Sequence, residues 1–182
     1  IVVLVACHII KDSRKIQKLM YKDTGMDIWN LNYLIYQGEA KILPERRVQK
    51  YAVAILNISQ FRRYNIIYGW NAGQKLLEAV ASNLQKNILG KDEICARNQG
   101  DRFVLLLSYQ SEEAFLERLR QIEQETEEDI YQKTENHMTF QMGVYLIPQD
   151  SSDMRQAVDY ATQAIEFMKD SRLSDVMFYD EN

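Results

Sequence analysis

Along this chain, short apolar runs of strand character alternate with stretches whose apolar residues recur every three or four positions. The run at 51–58 (YAVAILNI) is β-rich and apolar at successive positions, which predicts a central strand buried on both faces. From about 60 to 88, Leu77, Val80, Leu84 and Ile88 repeat at helical spacing, predicting a helical region with one face on the sheet. Residues 93–97 (EICAR) and 102–109 (RFVLLLSY) read as the arms of a hairpin. Its turn is Gln99-Gly100-Asp101, where Gly100 can take positive φ without steric cost. From 112 to about 127 an amphipathic helix is expected, with Phe115, Leu119 and Ile122 inward and an acidic, solvated outer face. A strand at 137–147 follows, then a helix at 151–170 with Met154, Ala157, Val158, Ala161, Ile165 and Met168 on one stripe. Ser151, Ser152 and Asp153 are the candidates to cap it. A last strand at 176–179 (VMFY) closes the sheet. This order predicts an α+β fold, a central mixed, mainly antiparallel sheet of about five strands flanked by helices.

The first ten residues (IVVLVACHII) are almost uninterruptedly apolar and are followed by Lys11, Arg14, Lys15 and Lys18. A membrane span needs about 20 apolar residues, so this segment is either the end of a span, with its basic flank on the cytoplasmic side, or a short buried helix. Ile9, Ile16 and Leu19/Met20 keep helical spacing. Residues 1–20 are therefore expected to form a stalk helix or the end of a span, and 21–182 one domain, cytoplasmic and tethered to the inner membrane if the span is real. At 182 residues and 46% apolar content the chain can bury one substantial core. Its formal charge of −4, with both signs interspersed, offers no field for a nucleic-acid backbone. Cys7 and Cys95 have neither metal nor redox spacing and read as reduced packing residues. Trp29 and Trp70 read as packing residues as well, and His8 and His137 have no partner at metal-ligand spacing.

Three motifs and a lysine, in order, carry a resemblance. "YKDTGM" (21–26) keeps Thr24 and Gly25 of an Asp-x-Leu-Thr-Gly-Leu wedge, with Tyr21 in place of the leading Asp. "NISQFRRYNIIYGW" (57–70) follows the pattern of a strand-turn-helix with Phe61, Arg62, Asn65, Tyr68 and Gly69 in place. "RNQGDRF" (97–103) keeps Arg97, Gly100, Asp101 and Phe103 of an Arg-Tyr-Gly-Gly-Asp-Glu-Phe hairpin. Lys169 stands at the end of the last helix. Over residues 20–180 the chain resembles the GGDEF domain family, the diguanylate cyclases and their inactive relatives.

In active members the resemblance implies GTP lying over the first strand and the hairpin, two divalent cations bridging its phosphates, and attack by the 3′-hydroxyl of an opposing GTP. Such chemistry rests on positioning and charge neutralisation. The family's metal ligands map onto Asn57, the carbonyl of Ile58, and Asp101, so an amide replaces one of two carboxylates. Arg102 replaces the next acid of the hairpin, turning a negative position positive. Asp101 and Arg102 are thus vestiges of the catalytic positions. On the nucleotide side the resemblance assigns Phe61, Arg62, Asn65, Gln74, Gly100 and Lys169. Gln74 stands for an acid that accepts from guanine, Leu173 for a phosphate-binding Arg, and Gln99 for the first Gly of the hairpin. The family's product-inhibition Arg-x-x-Asp falls on Gly90 and Glu93. The expectation is a degenerate, non-catalytic signalling module of cyclic di-GMP metabolism that binds GTP weakly, with Mg²⁺ if nucleotide binding is retained. It would regulate an attached or partner domain, such as an EAL phosphodiesterase, with homodimerisation open. The alternatives are an active cyclase and a purely structural relay or dimerisation domain. Against these stand plain readings: Gly100 and Asp101 as turn formers, Asn65 and Tyr68 as cap or groove residues, Arg97 and Arg102 as salt-bridge partners, and Lys169 as a helix-dipole partner.

Overall fold

The computed structural model describes residues 13, 16, 19–42, 49–151, 153–168 and 175–180. A mixed sheet of six strands, β1 (Trp29–Asn30), β2 (Lys50–Ile58), β3 (Ile94–Arg97), β4 (Arg102–Tyr109), β5 (Phe140–Leu146) and β6 (Asp175–Phe178), runs in the order β1-β3-β4-β2-β5-β6. The central pairings β3–β4, β4–β2 and β2–β5 are antiparallel. The two edges, β1 on β3 and β6 on β5, are parallel. The strand beyond the expected five is β1 (Trp29–Asn30), two residues long and too short to leave a periodic signal.

β2 (Lys50–Ile58) is the central strand and is buried on both faces. Ala52, Ala54, Leu56 and Ile58 point into one apolar cluster, which holds α3 (Trp70–Lys86) and α4 (Glu112–Thr134). Tyr51, Val53 and Ile55 point into a second cluster under α1 (Leu31–Gln37) and α5 (Met154–Phe167). Strand alternation thus sorts the buried β2 side chains to one helical layer or the other. Gly143 in β5 (Phe140–Leu146) lets α5 approach, because a Cβ there would land on the Ala161 carbonyl oxygen and meet Ile165.

Several expectations change. The helical region 60–88 is two helices, α2 (Phe61–Tyr68) and α3, because Gly69 sits at φ 87°, ψ 163° and ends the first. α4 runs to Thr134 instead of about 127, with Thr126 and Ile130 continuing its buried stripe. α1 and the π-helical turn Gly38–Ile42 were not expected. α5 starts at Met154, and its cap is Asp153, whose Oδ1 accepts from the Gln156 N–H at 3.0 Å. Trp70 is no packing residue, being 75% exposed. Trp29 does pack, stacked on Tyr33 with the Lys22 ammonium 4.1 Å above the ring. The hairpin is as expected, with β3 (Ile94–Arg97) and β4 (Arg102–Tyr109) joined through Gly100 at φ 60°.

Most of the expected stalk, together with Cys7, His8, Ser152, Lys169 and Leu173, lies outside the described residues. Ser13, Ile16 and residues 19–21 are helical, and Ile16, Leu19 and Met20 are exposed. Among the described residues no helix is long and apolar enough to cross a membrane.

Candidate functional site

At one end of the sheet, Asn57 lies directly opposite Arg102 of β4 on one side and Gln141 of β5 on the other. Leu56, Ile58, Phe103, Phe140 and Met142 all enter the α3/α4 cluster. The alternation therefore sends Asn57, Arg102 and Gln141 to the opposite face, beneath the C-terminal end of α5. That end closes over them. Arg102 Nη2 donates to Glu166 Oε1 at 3.0 Å, both side chains about one-third exposed. Gln141 Nε2 donates to the Met168 carbonyl at 3.2 Å.

Asp101 precedes Arg102 at the hairpin tip, and its carbonyl accepts from the Ile58 N–H at 3.3 Å. Burial raises the Asp101 carboxyl above its usual range, against the pull of its own N–H and of the Arg102 and Arg97 charges. Arg97 rivets the tip. Its Nε and Nη2 donate to the Gly100 carbonyl at 3.2 and 2.7 Å, and its Nη1 donates to Asp23 Oδ1 at 3.1 Å. The same Asp23 oxygen accepts from the Gly25 and Met26 N–H groups, closing the wedge at 23–26 as an Asx turn. Asp23 and Glu166 were not foreseen as site partners. An Asp two residues before Gly was a readable turn signal, whereas nothing local marks Glu166.

The nucleotide-side residues fall around α2. Gln60 precedes it at φ 56°, and the helix begins with Phe61 and Arg62, Phe61 partly buried and Arg62 exposed. Asn65 turns its Oδ1 inward against Gly73, where the oxygen is buried without a hydrogen-bond partner. Its expected companion, Gln74, is engaged elsewhere, donating Nε2 to the Gly25 carbonyl at 3.2 Å and to Glu78 at 3.3 Å. Tyr68 packs its ring on Tyr64, 4.7 Å between centroids. Phe61, Arg62, Asn65, Gln74 and Gly100 are thus grouped around α2, the start of α3 and the hairpin tip.

The position of the product-inhibition acid is used for something else. Glu93 accepts at Oε1 from the Ser108 N–H and hydroxyl and from Arg118, and at Oε2 from the Leu89 and Gly90 N–H groups and from Arg118. Burial pulls this carboxyl upward, but the Arg118, Gly90 and Ser108 donors outweigh it and hold it at about 2. A cleft of about 420 Å³ opens beside it, lined by Trp29, Tyr33, Gln85, Lys91 and Asp92 among others. It lies away from the row of Asn57, Arg102 and Gln141.

A divalent cation prefers hard anionic oxygens held close together. Asn57, the Ile58 carbonyl and Asp101 offer one carboxylate, disfavoured as the anion by its burial, beside a fixed guanidinium. No group of three or more His, Cys, Asp or Glu side chains able to hold a metal occurs among the described residues. The donor set does not fit the ion that the resemblance implies.

A sequence profile described as diguanylate cyclase, GGDEF domain, matches residues 21–174. The chain is 23% identical over 184 residues to the probable diguanylate cyclase DgcT of Escherichia coli K12, covering 99% of this chain and 40% of that protein. It therefore spans well under half of that relative's length. The coiled coil and GGDEF domain of DgcB from Caulobacter crescentus, solved in complex with c-di-GMP, matches with a TM-score of 0.80 at 14% identity, over 97% of this chain and 94% of that one. The S helix-GGDEF-EAL structure of LapD from Vibrio cholerae, bound to c-di-GMP, matches with a TM-score of 0.69 at 19% identity, over 93% of this chain and 39% of that one. At such identities the two structural matches establish the fold alone.

Proposed function

The chain belongs to the GGDEF domain family of cyclic di-GMP signalling, and from that membership we propose that it is a regulatory member without cyclase activity. It binds guanine nucleotide weakly and reports occupancy to an attached or partner domain. The observation that carries this reading is the pairing of Arg102 with Asn57 across the central strands, at the positions where the family places acids. Nucleotidyl transfer depends on metal-assisted neutralisation of phosphate charge, and each ~1.4 kcal/mol of lost transition-state stabilisation is tenfold in rate. Exchanging one carboxylate for an amide and another for a guanidinium removes several kcal/mol on the order-of-magnitude scale of such charges. The joined GGDEF and EAL parts of LapD support an EAL phosphodiesterase as the kind of domain regulated.

The test is direct. Purified chain incubated with GTP and Mg²⁺ or Mn²⁺ is expected to form no cyclic di-GMP above the level of Asp101→Ala, by chromatography. Product made by the natural chain and abolished in Asp101→Ala would overturn the reading in favour of an active cyclase.

One observation favours a second reading, a structural relay or dimerisation module. Gln74 spends its amide on the Gly25 carbonyl and Glu78 within the domain, which leaves less of the guanine-reading pair for a ligand. Thermal shift separates the two. Millimolar GTP against a Kd of about 10 μM stabilises by about 2.7 kcal/mol, against a millimolar Kd by about 0.4 kcal/mol, and against a relay that binds nothing by none.

A further inference from the structure

The misfit between the donor set and a divalent cation leads further, on the premise that this site meets nucleotide as proposed above. We infer that Arg102 is a resident cation, which binds the polyphosphate of a nucleotide without metal and in competition with Glu166.

The argument starts from placement. Strand register puts the Arg102 Cα opposite Asn57, and alternation sends both side chains to the α5 face. The guanidinium therefore stands directly beside Asn57, one of the positions where the family's metal ligands fall, and one residue from Asp101, another. It is covalently fixed, always charged, and carries five N–H donors in a planar fork suited to two phosphate oxygens at once. In the structure that fork is held by a carboxylate, Glu166 Oε1 at 3.0 Å, and a third of the side chain remains open to solvent. A carboxylate is the closest side-chain mimic of a phosphate oxygen pair.

Asn57 adds an amide with two donors to its one acceptor. Arg62 stands exposed in the first turn of α2, just beyond the loop that leaves Asn57. The acids near Arg102 are Asp101, its neighbour at the hairpin tip, and Glu166, which is paired to it. Where a site of paired carboxylates recruits a cation to meet phosphate, this one carries its cation on the chain.

Competition follows from charge. Phosphate oxygens and the Glu166 carboxylate cannot both sit close against one guanidinium without repelling each other. Ligand binding therefore loosens Glu166, in the last turn of α5, the helix whose end the Gln141 bond to Met168 also secures. Occupancy is read at the C-terminus of α5.

Calorimetry on the full chain tests this, titrating GTP, ATP and inorganic tripolyphosphate in EDTA and in excess Mg²⁺. The natural chain is expected to bind GTP with affinities equal within about twofold in the two conditions. Arg102→Met should weaken binding roughly 10- to 100-fold, as for loss of a charge-assisted hydrogen-bonding partner. Arg102→Lys, which keeps the charge and loses the fork, should fall between. Glu166→Gln, which removes the competitor, should tighten binding several-fold. The double variant Asn57→Asp with Arg102→Glu should require Mg²⁺. Melting curves identify any variant that has merely unfolded. A natural chain that needs Mg²⁺, an affinity indifferent to both Arg102 variants, or a weaker Glu166→Gln would overturn the inference. Preference for GTP over ATP together with Mg²⁺ dependence would sink it while sparing the nucleotide-binding reading. Metal-free tripolyphosphate binding through Arg102 without preference for GTP would do the reverse. No binding by any ligand to any variant would dispose of both.

Discussion

Glu93 offers the sharpest quantitative test of the geometry. Its carboxylate accepts six hydrogen bonds, two of them from Arg118, at a side chain only 2% exposed. Arg118 also donates to the Asn87 carbonyl at 3.0 Å, so the pair staples the loop after α3 to β4 and α4. Such a group must stay ionised. Its folded value of about 2 lies below its ordinary 4.5, so the stability it contributes is fully present above pH ~5 and drains away as pH falls towards 2. The full contribution is about 3 kcal/mol, and about 2 kcal/mol of it is gone by pH 3.

The perturbation is Glu93→Gln, which keeps the shape, removes the titration and leaves the partly buried Arg118 without its counter-ion. The expected cost at pH 7 is about 3–5 kcal/mol. Urea unfolding of both proteins between pH 7 and 3 supplies the assay, because only the difference between them isolates Glu93 from the other carboxyls. That difference should shrink by about 2 kcal/mol across the range. A difference that stays flat with pH would mean that the pair is not formed as an ion pair in solution. The functional consequence is independent of the titration: a carboxylate with both oxygens filled by the protein's own donors has none to give a ligand. The position that product inhibition uses in the family serves here to hold the fold together.

Further outcomes follow from single contacts. Gly143→Ala should destabilise by about 3 kcal/mol or more and lower the melting temperature by roughly 6–12 °C, because the new methyl group meets the rigid Ala161 carbonyl; an unchanged melting curve would refute the close approach of α5. Asn30→Ala should cost about 1–2 kcal/mol in urea unfolding, since its Oδ1 caps α1 at the Tyr33 N–H while its Nδ2 ties the Met20 and Lys22 carbonyls. In a Cys7→Ser background, burial that pushes the Cys95 thiol pKa upward should keep it unreactive towards thiol reagents until the protein unfolds; rapid labelling of the native state would contradict that burial.

The elements most legible in the sequence were those whose burial is decided locally. The β2 run is apolar at every second residue on both faces, and both faces prove to be covered. The α4 helix was harder, because the acidic run after Ile122 masks its last turns. Thr126 looks polar but belongs to the buried stripe, its hydroxyl satisfied by the Ile122 carbonyl and Asn83. The break at Gly69 was hidden for the opposite reason. The apolar period of α3 extends backwards smoothly, and only the glycine itself signals the turn. β1 exists because β3 offers it an edge, and no two-residue pattern reveals that.

The candidate site shows what a motif comparison can and cannot carry. Asn57 and Arg102 were readable as two separate departures from a family pattern, each a loss. Placed in register they form one rearrangement, because the charge that Arg102 brings is met by Glu166, a residue 64 positions away with no signature of its own. An unpaired guanidinium left behind by a decayed site would carry a desolvation cost without return. Here the polar ends are matched: Arg102 with Glu166, Gln141 with the Met168 carbonyl, and Arg97 with Asp23 and the hairpin tip. The exceptions lie beside α2. Ser59 Oγ and Asn65 Oδ1 are buried without a hydrogen-bond partner, each at a cost of about 1–3 kcal/mol. Both oxygens border the helix that starts with Arg62, so the unmatched polar atoms near this site gather at α2, on the side that the resemblance assigns to the nucleotide, and not in the row of Asn57, Arg102 and Gln141.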